Sequence, residues 1–237
     1  MRGRPGPKPA GPKPDGNPGV RGGIGVLGGT FNPIHIAHLR AAEEIREILG
    51  LEKVIFVPAG VPPLKGRAGL APAGARLKMV KLAIRGNPFF EVSDLEVAGG
   101  APSYTVNTLE RLGEKYGSGR LFFITGLDVF KSLHLWWRPE RLIELADFVV
   151  MSRPGYDFSS LEDSPFISKK KRFRGPGAKG KAAKLELASG RALYLVRITD
   201  MDISARGIRQ MLASGGSARY LLPEAVLSFI ISNKLKF

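Results

Sequence analysis

Apolar segments of strand length alternate with helical segments along most of this chain, and this alternation constrains the fold more than any other feature. Short apolar runs begin at Ile24–Leu27 and recur at regular intervals, with amphipathic stretches between them. The stretch 34–49, for example, carries apolar residues at helical spacing and is followed by Gly50, a typical helix stop. Strands that alternate with helices usually pair in parallel. We therefore predict an α/β fold with a Rossmann-like, doubly wound parallel sheet.

The remaining predicted elements keep the same order. Predicted strands cover 24–27, 54–57, 89–93, 121–124, 147–151 and 193–198. Predicted helices cover 34–49, 73–85, 103–116, 205–212 and 223–232. Ligands of such sheets bind at the carboxyl ends of the strands, and the polar motifs of this chain fall at those ends.

Two segments depart from the alternation. Residues 1–23 contain 7 Gly and 6 Pro with almost no apolar side chains, so we predict a disordered tail. Residues 157–192 are rich in Lys and Gly and are predicted to be a low-complexity basic insertion. The rest of 24–237 is predicted to form one domain.

The net charge of +15 is a reason to consider a nucleic-acid partner. The first 23 residues contribute +4 and residues 168–184 contribute +8, which leaves only +3 for the rest of the chain. The run 168–184 has Phe173 as its single aromatic residue, so it offers little for bases to stack on. We expect at most non-specific nucleic-acid contact through the basic insertion. A basic nucleic-acid-binding protein remains the alternative from another functional class.

Composition excludes several other kinds of site. The chain has no Cys, which excludes disulfides and thiolate metal sites. Its three His are too few and too scattered for a metal site built from histidines, so no protein metal site is expected. No apolar run approaches the roughly 18 residues that span a bilayer, and we expect a cytoplasmic protein without a membrane partner. The oligomeric state stays open.

The first predicted strand ends in Gly28 and Gly29, and a helix follows shortly afterwards. Glycines allow close approach of a ligand to the backbone, and a helix N-terminus offers free N–H groups, so this turn suits a phosphate. It matches neither the P-loop nor the dinucleotide-binding Gly pattern. His35 and His38 are three residues apart and so share one helix face. Imidazoles at such a place can stabilise charge that develops during phosphoryl or nucleotidyl transfer.

Two motifs resemble the signatures of the HxGH nucleotidyltransferase superfamily. The first is Gly28-Gly29-Thr30-Phe31-Asn32-Pro33-Ile34-His35-Ile36-Ala37-His38, with Ala37 in place of the usual Gly. The second is Ile203-Ser204-Ala205-Arg206-Gly207-Ile208-Arg209, with Arg206 where a hydroxyl residue is usual. The resemblance implies a nucleotidyltransferase domain that uses ATP, with Mg²⁺ carried by the nucleotide.

The resemblance also implies which residues form the ATP site. It assigns catalytic roles to His35, His38 and Arg209. The implied ATP-binding residues are Gly28, Gly29, Thr30, Phe31, His35, His38, Ser204, Arg206 and Arg209.

Further segments resemble the nicotinate-nucleotide adenylyltransferases of this superfamily. They are Val57–Lys65, Ser103–Leu109 with Asn107 in place of an acid, Phe123–Asp128, Leu133–Arg138 and Ser152–Tyr156. With the two signatures, the resemblance covers about residues 24–156 and 193–232. It implies adenylyl transfer from ATP to nicotinate mononucleotide, with nicotinate adenine dinucleotide and pyrophosphate as products.

The resemblance assigns the acceptor site to Lys65, Ser103, Tyr104, Thr105, Asp128, Trp136 and Arg153. In this assignment Trp136 offers an aromatic face to the pyridinium ring, and the hydroxyl-rich helix start at Ser103 meets the carboxylate. Lys65 meets the acceptor phosphate, and Asp128 accepts from ribose hydroxyls or helps hold a metal ion. Nicotinamide mononucleotide and phosphopantetheine remain alternative acceptors within the superfamily.

Overall fold

A computed structural model describes residues 22–63, 69–170, 172–177 and 180–237. Residues 1–21 of the predicted tail and the predicted phosphate ligand Lys65 lie outside these ranges. In the described part of the chain, seven strands form one sheet. They are β1 (Ile24–Gly29), β2 (Lys53–Pro58), β3 (Phe90–Val92), β4 (Leu121–Gly126), β5 (Asp147–Met151), β6 (Ala182–Glu186) and β7 (Ala192–Val196).

The strand order is β3-β2-β1-β4-β5-β7-β6. All neighbouring pairs are parallel except β6 with β7, which is antiparallel. The chain therefore leaves β1 in one direction to build β2 and β3, and then returns to add β4 on the opposite side of β1. The carboxyl ends of β1 and β4 flank this switch point, where open α/β sheets bind their ligands.

Eight α-helices are described, and most of them connect consecutive parallel strands. They are α1 (Ile36–Leu49), α2 (Ala73–Ala83), α3 (Leu95–Ala98), α4 (Thr105–Tyr116), α5 (Leu127–Lys131), α6 (Pro139–Leu145), α7 (Ala205–Ala213) and α8 (Glu224–Ser232).

The sheet is covered on both faces. Apolar side chains of α1, α2, α7 and α8 pack in one core cluster, and those of α4, α5 and α6 pack in a second cluster. Strand residues alternate between the two clusters, as Ile55 and Val57 of β2 join one while Val54 and Phe56 join the other. The three-layer arrangement confirms the predicted doubly wound α/β fold.

Most predicted elements are present, with bounds that differ by at most two residues. The predicted helix 34–49 begins at Ile36, because His35 has an extended backbone with φ −141 and ψ 171 and acts as the N-cap. The predicted helix 103–116 begins at Thr105, with Tyr104 as its cap. The short helices α3, α5 and α6 and the strand β6 were not among the predictions.

The segment 157–192 is more than the predicted low-complexity insertion. It contains β6, which extends the sheet beside β7. It also supplies side chains that are at most 6% exposed, namely Phe158, Leu161, Phe166, Ile167 and Leu187. The predicted basic insertion therefore also contains residues of the sheet and the core, because its Lys and Gly content masks a few apolar residues.

The described helices are all too short or too polar to cross a bilayer.

Candidate active site

The loop after β1 turns sharply above the sheet. Phe31 has a φ of 47, a value that is uncommon outside glycine. Its ring is buried and lies 5.2 Å from the ring of His38 and 5.9 Å from that of Phe56, between centroids. A Cβ on Gly29 would lie 3.0 Å from the Phe31 ring, whereas one on Gly28 would make an ordinary contact at 3.8 Å. Gly29 is thus the glycine that this turn requires.

The two histidines lie against each other at the start of α1. Their ring centroids are 3.7 Å apart with planes tilted by 31°. The backbone N–H of His35 donates to Nδ1 of His38 over 3.2 Å. When His38 is neutral, its proton therefore lies on Nε2, the nitrogen on the far side of the ring. The predicted pairing of these rings on one face is confirmed, while their catalytic roles remain predictions.

His35 differs from His38 in its environment. It is 5% exposed, and burial, with a smaller contribution from the nearby positive charge of Arg153, lowers its pKa from 6.5 to about 4. Its Nδ1 is buried without a hydrogen-bond partner among the described residues. His35 is therefore neutral near pH 7 and can offer a ligand an uncharged imidazole rather than a cation.

The low pKa of His35 makes the stability of the protein depend on pH. Between pH 6.5 and about 4 the unfolded chain binds a proton at this position and the folded chain does not. The free energy of unfolding should fall by about 2 kcal/mol between about pH 7 and pH 5 from this group alone. Chemical denaturation of the wild type and His35→Gln at both pH values measures it, with the exposed His134→Gln as the control. Equal pH dependence in all three proteins would contradict a buried neutral His35.

The second signature reaches the first in space. Ser204 caps α7 by accepting a hydrogen bond from the Gly207 N–H over 3.1 Å. One turn later, Nη1 of Arg209 donates to the backbone carbonyl of Asn32 over 2.8 Å, although the two residues are 177 positions apart. Arg206 is exposed and points to no described partner. Arg209 is therefore the arginine that the fold brings to the loop after β1.

The carboxyl end of β4 places an acidic group at the switch point. Asp128 lies in the first turn of α5, and one of its carboxylate oxygens pairs with Arg153. The other, Oδ1, is buried without a partner in the described part of the chain. A Cβ on Gly126 would lie 2.7 Å from this oxygen, so the glycine makes room for the carboxylate.

Ser103 contacts the loop after β2. Its hydroxyl oxygen accepts from the backbone N–H of Gly60 at 2.8 Å and from that of Val61 at 3.2 Å. The hydroxyl is also hydrogen-bonded to Glu96, a carboxylate whose pKa is raised by burial. The Ser103 side chain thus fastens the segment before α4 to the loop after β2, and its predicted role at the acceptor stays a prediction.

The two tryptophans occupy different environments. Trp136 is partly buried and meets Phe123 edge-on, with centroids 6.2 Å apart. Trp137 is 42% exposed, and its ring centroid lies 4.8 Å from that of Tyr104. The guanidinium carbon of Arg138 lies over the Trp137 ring, 4.5 Å from its centroid. The sequence-based choice of Trp136 thus leaves out the tryptophan that contacts the predicted acceptor residue Tyr104.

Arg76 of α2 was not among the residues predicted from the sequence. It is 1% exposed, and its guanidinium donates to the backbone carbonyls of Thr30, Ala59, Gly60 and Ala71. A signal for it was present, because Arg76 shares the buried stripe of its helix with Met79 and Val80 at helical spacing. A charged residue on an apolar stripe needs a compensating partner and so marks a structural or functional role.

Within the described ranges, no three His, Asp or Glu side chains cluster as a metal site would require.

Comparisons with known proteins agree with this geometry. The model of the cytidylyltransferase-like family matches residues 26–211. A protein of Citrifermentans bemidjiense, named "Probable nicotinate-nucleotide adenylyltransferase", is 41% identical over 213 residues, covering 90% of this chain and 97% of its own. A protein of the same name from Geotalea daltonii is 42% identical over 212 residues, with the same coverage of 90% and 97%.

A solved structure shares the fold. Nicotinic acid mononucleotide adenylyltransferase of Plasmodium falciparum, complexed with NaAD, aligns with a TM-score of 0.67 at 19% identity, over 90% of this chain and 97% of its own. The family model covers most of this chain, and the relatives above 40% identity are aligned over nearly their whole length. This chain belongs to the cytidylyltransferase-like family and, within it, to the nicotinate-nucleotide adenylyltransferases.

Proposed function

We propose that this protein transfers the adenylyl group of ATP to nicotinate mononucleotide, which yields nicotinate adenine dinucleotide and pyrophosphate for NAD biosynthesis. Two relatives at about 40% identity are named for this activity, and the alignments cover 97% of each of them. The observation in the molecule that carries the proposal is the contact of Arg209 with the carbonyl of Asn32, beside the paired His35 and His38. This contact joins the second signature to the first at the switch point of the sheet, where a polyphosphate would lie.

The reaction is a direct in-line displacement. An oxygen of the acceptor 5′-phosphate attacks the α-phosphorus of ATP, and the bond from that phosphorus to the bridging oxygen of pyrophosphate breaks. No side-chain nucleophile is needed, because the attacking oxygen is already anionic. Catalysis then rests on positioning and on charge stabilisation.

The ATP site would use three groups of donors. The N–H groups of Gly29 to Phe31 line the α-phosphate, and the Nε2–H of His38 binds an oxygen on the departing side. Arg209 holds the β- and γ-phosphates with Ser204, while Gly28 and Thr30 border the loop. Exposed Arg206 contributes long-range attraction only.

The nucleotide brings Mg²⁺, which neutralises negative charge on its phosphate oxygens. The carboxylates present fit this arrangement, because Asp128 supplies one buried oxygen without a partner in the described residues while Arg153 occupies the other. One carboxylate beside a substrate suits a cation that keeps most of its ligands from phosphate and water. Asp128 is equally placed to accept from a ribose hydroxyl.

The acceptor would lie between the ends of β2, α4 and α5. The N–H of Thr105 at the start of α4 would donate to the nicotinate carboxylate, whereas the N–H of Tyr104 already donates to the Pro102 carbonyl over 2.9 Å. Trp136 and the outward-facing Trp137 both offer aromatic faces for the pyridinium ring, and Lys65 remains the proposed partner of the acceptor phosphate. A nicotinamide ring lacks the negative charge that these donors favour.

Contact with nucleic acid stays a minor, non-specific proposal. The basic residues of the 157–192 segment line an open hollow of about 1080 Å³ together with Glu162, Asp163 and Glu186. The mixture of charges weakens any attraction for a polyanion.

The acceptor assignment predicts a clear kinetic preference. Purified protein with ATP and Mg²⁺ should release pyrophosphate with nicotinate mononucleotide at a kcat/KM at least about tenfold above that with nicotinamide mononucleotide, since a lost charged hydrogen bond is worth that much or more. Phosphopantetheine should give no release above background. Equal rates with the acid and the amide would contradict the acceptor assignment, and release with phosphopantetheine alone would replace it.

A further inference from the structure

Arg76 is a fully buried arginine, and the acid near enough to attract its charge is the partly buried Glu96. None of the ion pairs among the described residues includes it, and all of its described hydrogen bonds go to backbone carbonyls. Buried arginines are normally paired with a carboxylate, because an isolated charge is costly to remove from water. Here the hydrogen bonds of the guanidinium go to four backbone carbonyls, and Glu96 acts on its charge only through longer-range attraction.

The carbonyls that Arg76 binds belong to both proposed substrate loops. Thr30, at 2.9 Å, lies in the loop after β1 that is proposed to hold ATP. Ala59 and Gly60, the latter at 2.9 Å, lie in the loop after β2, and Ala71 at 3.0 Å ends the segment that returns to α2. One side chain therefore links the ATP loop to both ends of the segment that carries Lys65.

Asn32 strengthens the same link. Its amide nitrogen donates to the Gly69 carbonyl at 2.8 Å, and its amide oxygen accepts from the Ala71 N–H at 3.0 Å. The loop after β1 is thus tied to the segment after β2 through two independent side chains.

The direction of these bonds decides where the N–H groups point. In a planar trans peptide the C=O and the next N–H point in opposite directions. The Ala59 and Gly60 carbonyls face Arg76, and the N–H groups of Gly60 and Val61 accordingly face Ser103 on the other side. By the same geometry, holding the Thr30 carbonyl directs the Phe31 N–H away from Arg76, toward the side assigned to the α-phosphate.

We propose that Arg76 is a positioning residue that orients the peptide units of both substrate loops. Through these peptide units it couples the ATP site to the acceptor site. The inference rests on the proposed function. Its retained positive charge also favours anions bound on the opposite side of those peptide units. Arg76 does not touch substrate and is therefore expected to act on both substrates together.

The test compares Arg76→Lys, which keeps the charge, with Arg76→Met, which keeps much of the volume. Leu193→Ala, at the amino end of β7 and 0% exposed, is the control for loss of stability without contact to the loops. We expect KM for ATP and KM for nicotinate mononucleotide to rise together, by at least about tenfold in Arg76→Lys and by more in Arg76→Met. The reason is that a small displacement of groups that position a substrate has a large effect on its use. Leu193→Ala should lose thermal stability and keep both KM values within about twofold.

Unchanged KM values in both arginine variants, with a loss of thermal stability like that of Leu193→Ala, would overturn the proposal. So would a rise in KM for one substrate alone. Calorimetric titration with ATP in the absence of acceptor separates this proposal from the proposed function. Weaker ATP binding in Arg76→Lys supports the role of Arg76 even if the wild type fails to use nicotinate mononucleotide.

If both arginine variants fail to fold, Ser103→Ala provides the decisive measurement. This substitution removes the acceptor of the Gly60 and Val61 N–H groups. It leaves the hydrogen bond from Arg76 to the Thr30 carbonyl in place. A rise in acceptor KM with unchanged ATP binding would support the coupling of loop orientation to substrate affinity. Unchanged values for both substrates would overturn it.

Discussion

Replacing His38 by alanine is expected to lower kcat/KM at least about a hundredfold, the usual scale for loss of a donor to charge that develops in a transition state. Nδ1 of His38 is held by the His35 backbone N–H, which fixes the ring and places the proton of a neutral imidazole on Nε2. A fall of less than about tenfold would show that His38 has no such role.

Two further variants separate the nitrogens of His38. His38→Asn keeps an acceptor near the position of Nδ1 and should preserve the cap on His35 while removing the distal donor. His38→Gln places an amide N–H near the position of Nε2 and should retain more activity than His38→Asn. The reverse order would mean that the residue matters for the shape of the loop and not for its distal N–H. Thermal melts of each variant serve as the stability control.

Arg209→Met should lower kcat/KM by at least about a hundredfold as well, because a charged donor to a departing pyrophosphate is lost. The substitution also frees the Asn32 carbonyl that Arg209 holds at 2.8 Å. Arg209→Lys should recover part of the loss at most, since a single ammonium cannot reproduce the fork that reaches a carbonyl and a phosphate together. Steady-state kinetics with varied ATP measures both.

The matched control for Arg209 is Arg219→Met, which removes the same charge from an exposed position. It should leave kcat/KM within about twofold, because an exposed charge is screened by salt and solvent. If Arg209→Met and Arg219→Met behaved alike, Arg209 would contribute to the overall field of the protein and not to a bound phosphate.

Local features of the site could be predicted from the sequence. The turn at Gly28 and Gly29, the common face of His35 and His38, and the cap at Ser204 each depend on residues within four positions of one another. Glycine conformation, helix periodicity and capping act over such distances, so the printed sequence carries them directly. The alternation of strands and helices likewise specified the class of fold, because burial of apolar faces leaves few ways to arrange such elements.

Tertiary structure decided which distant groups meet. The second signature singles out Arg209, but only the folded chain shows that it donates to the carbonyl of Asn32. Packing of α4 against the loop after β2 brings the Ser103 hydroxyl to the Gly60 N–H, and docking of α2 aims Arg76 at carbonyls of two loops. A side chain's hydrogen-bond partner depends on the relative placement of whole elements. Apolar periodicity specifies that these elements pack, but it does not specify which polar atoms they bring into contact.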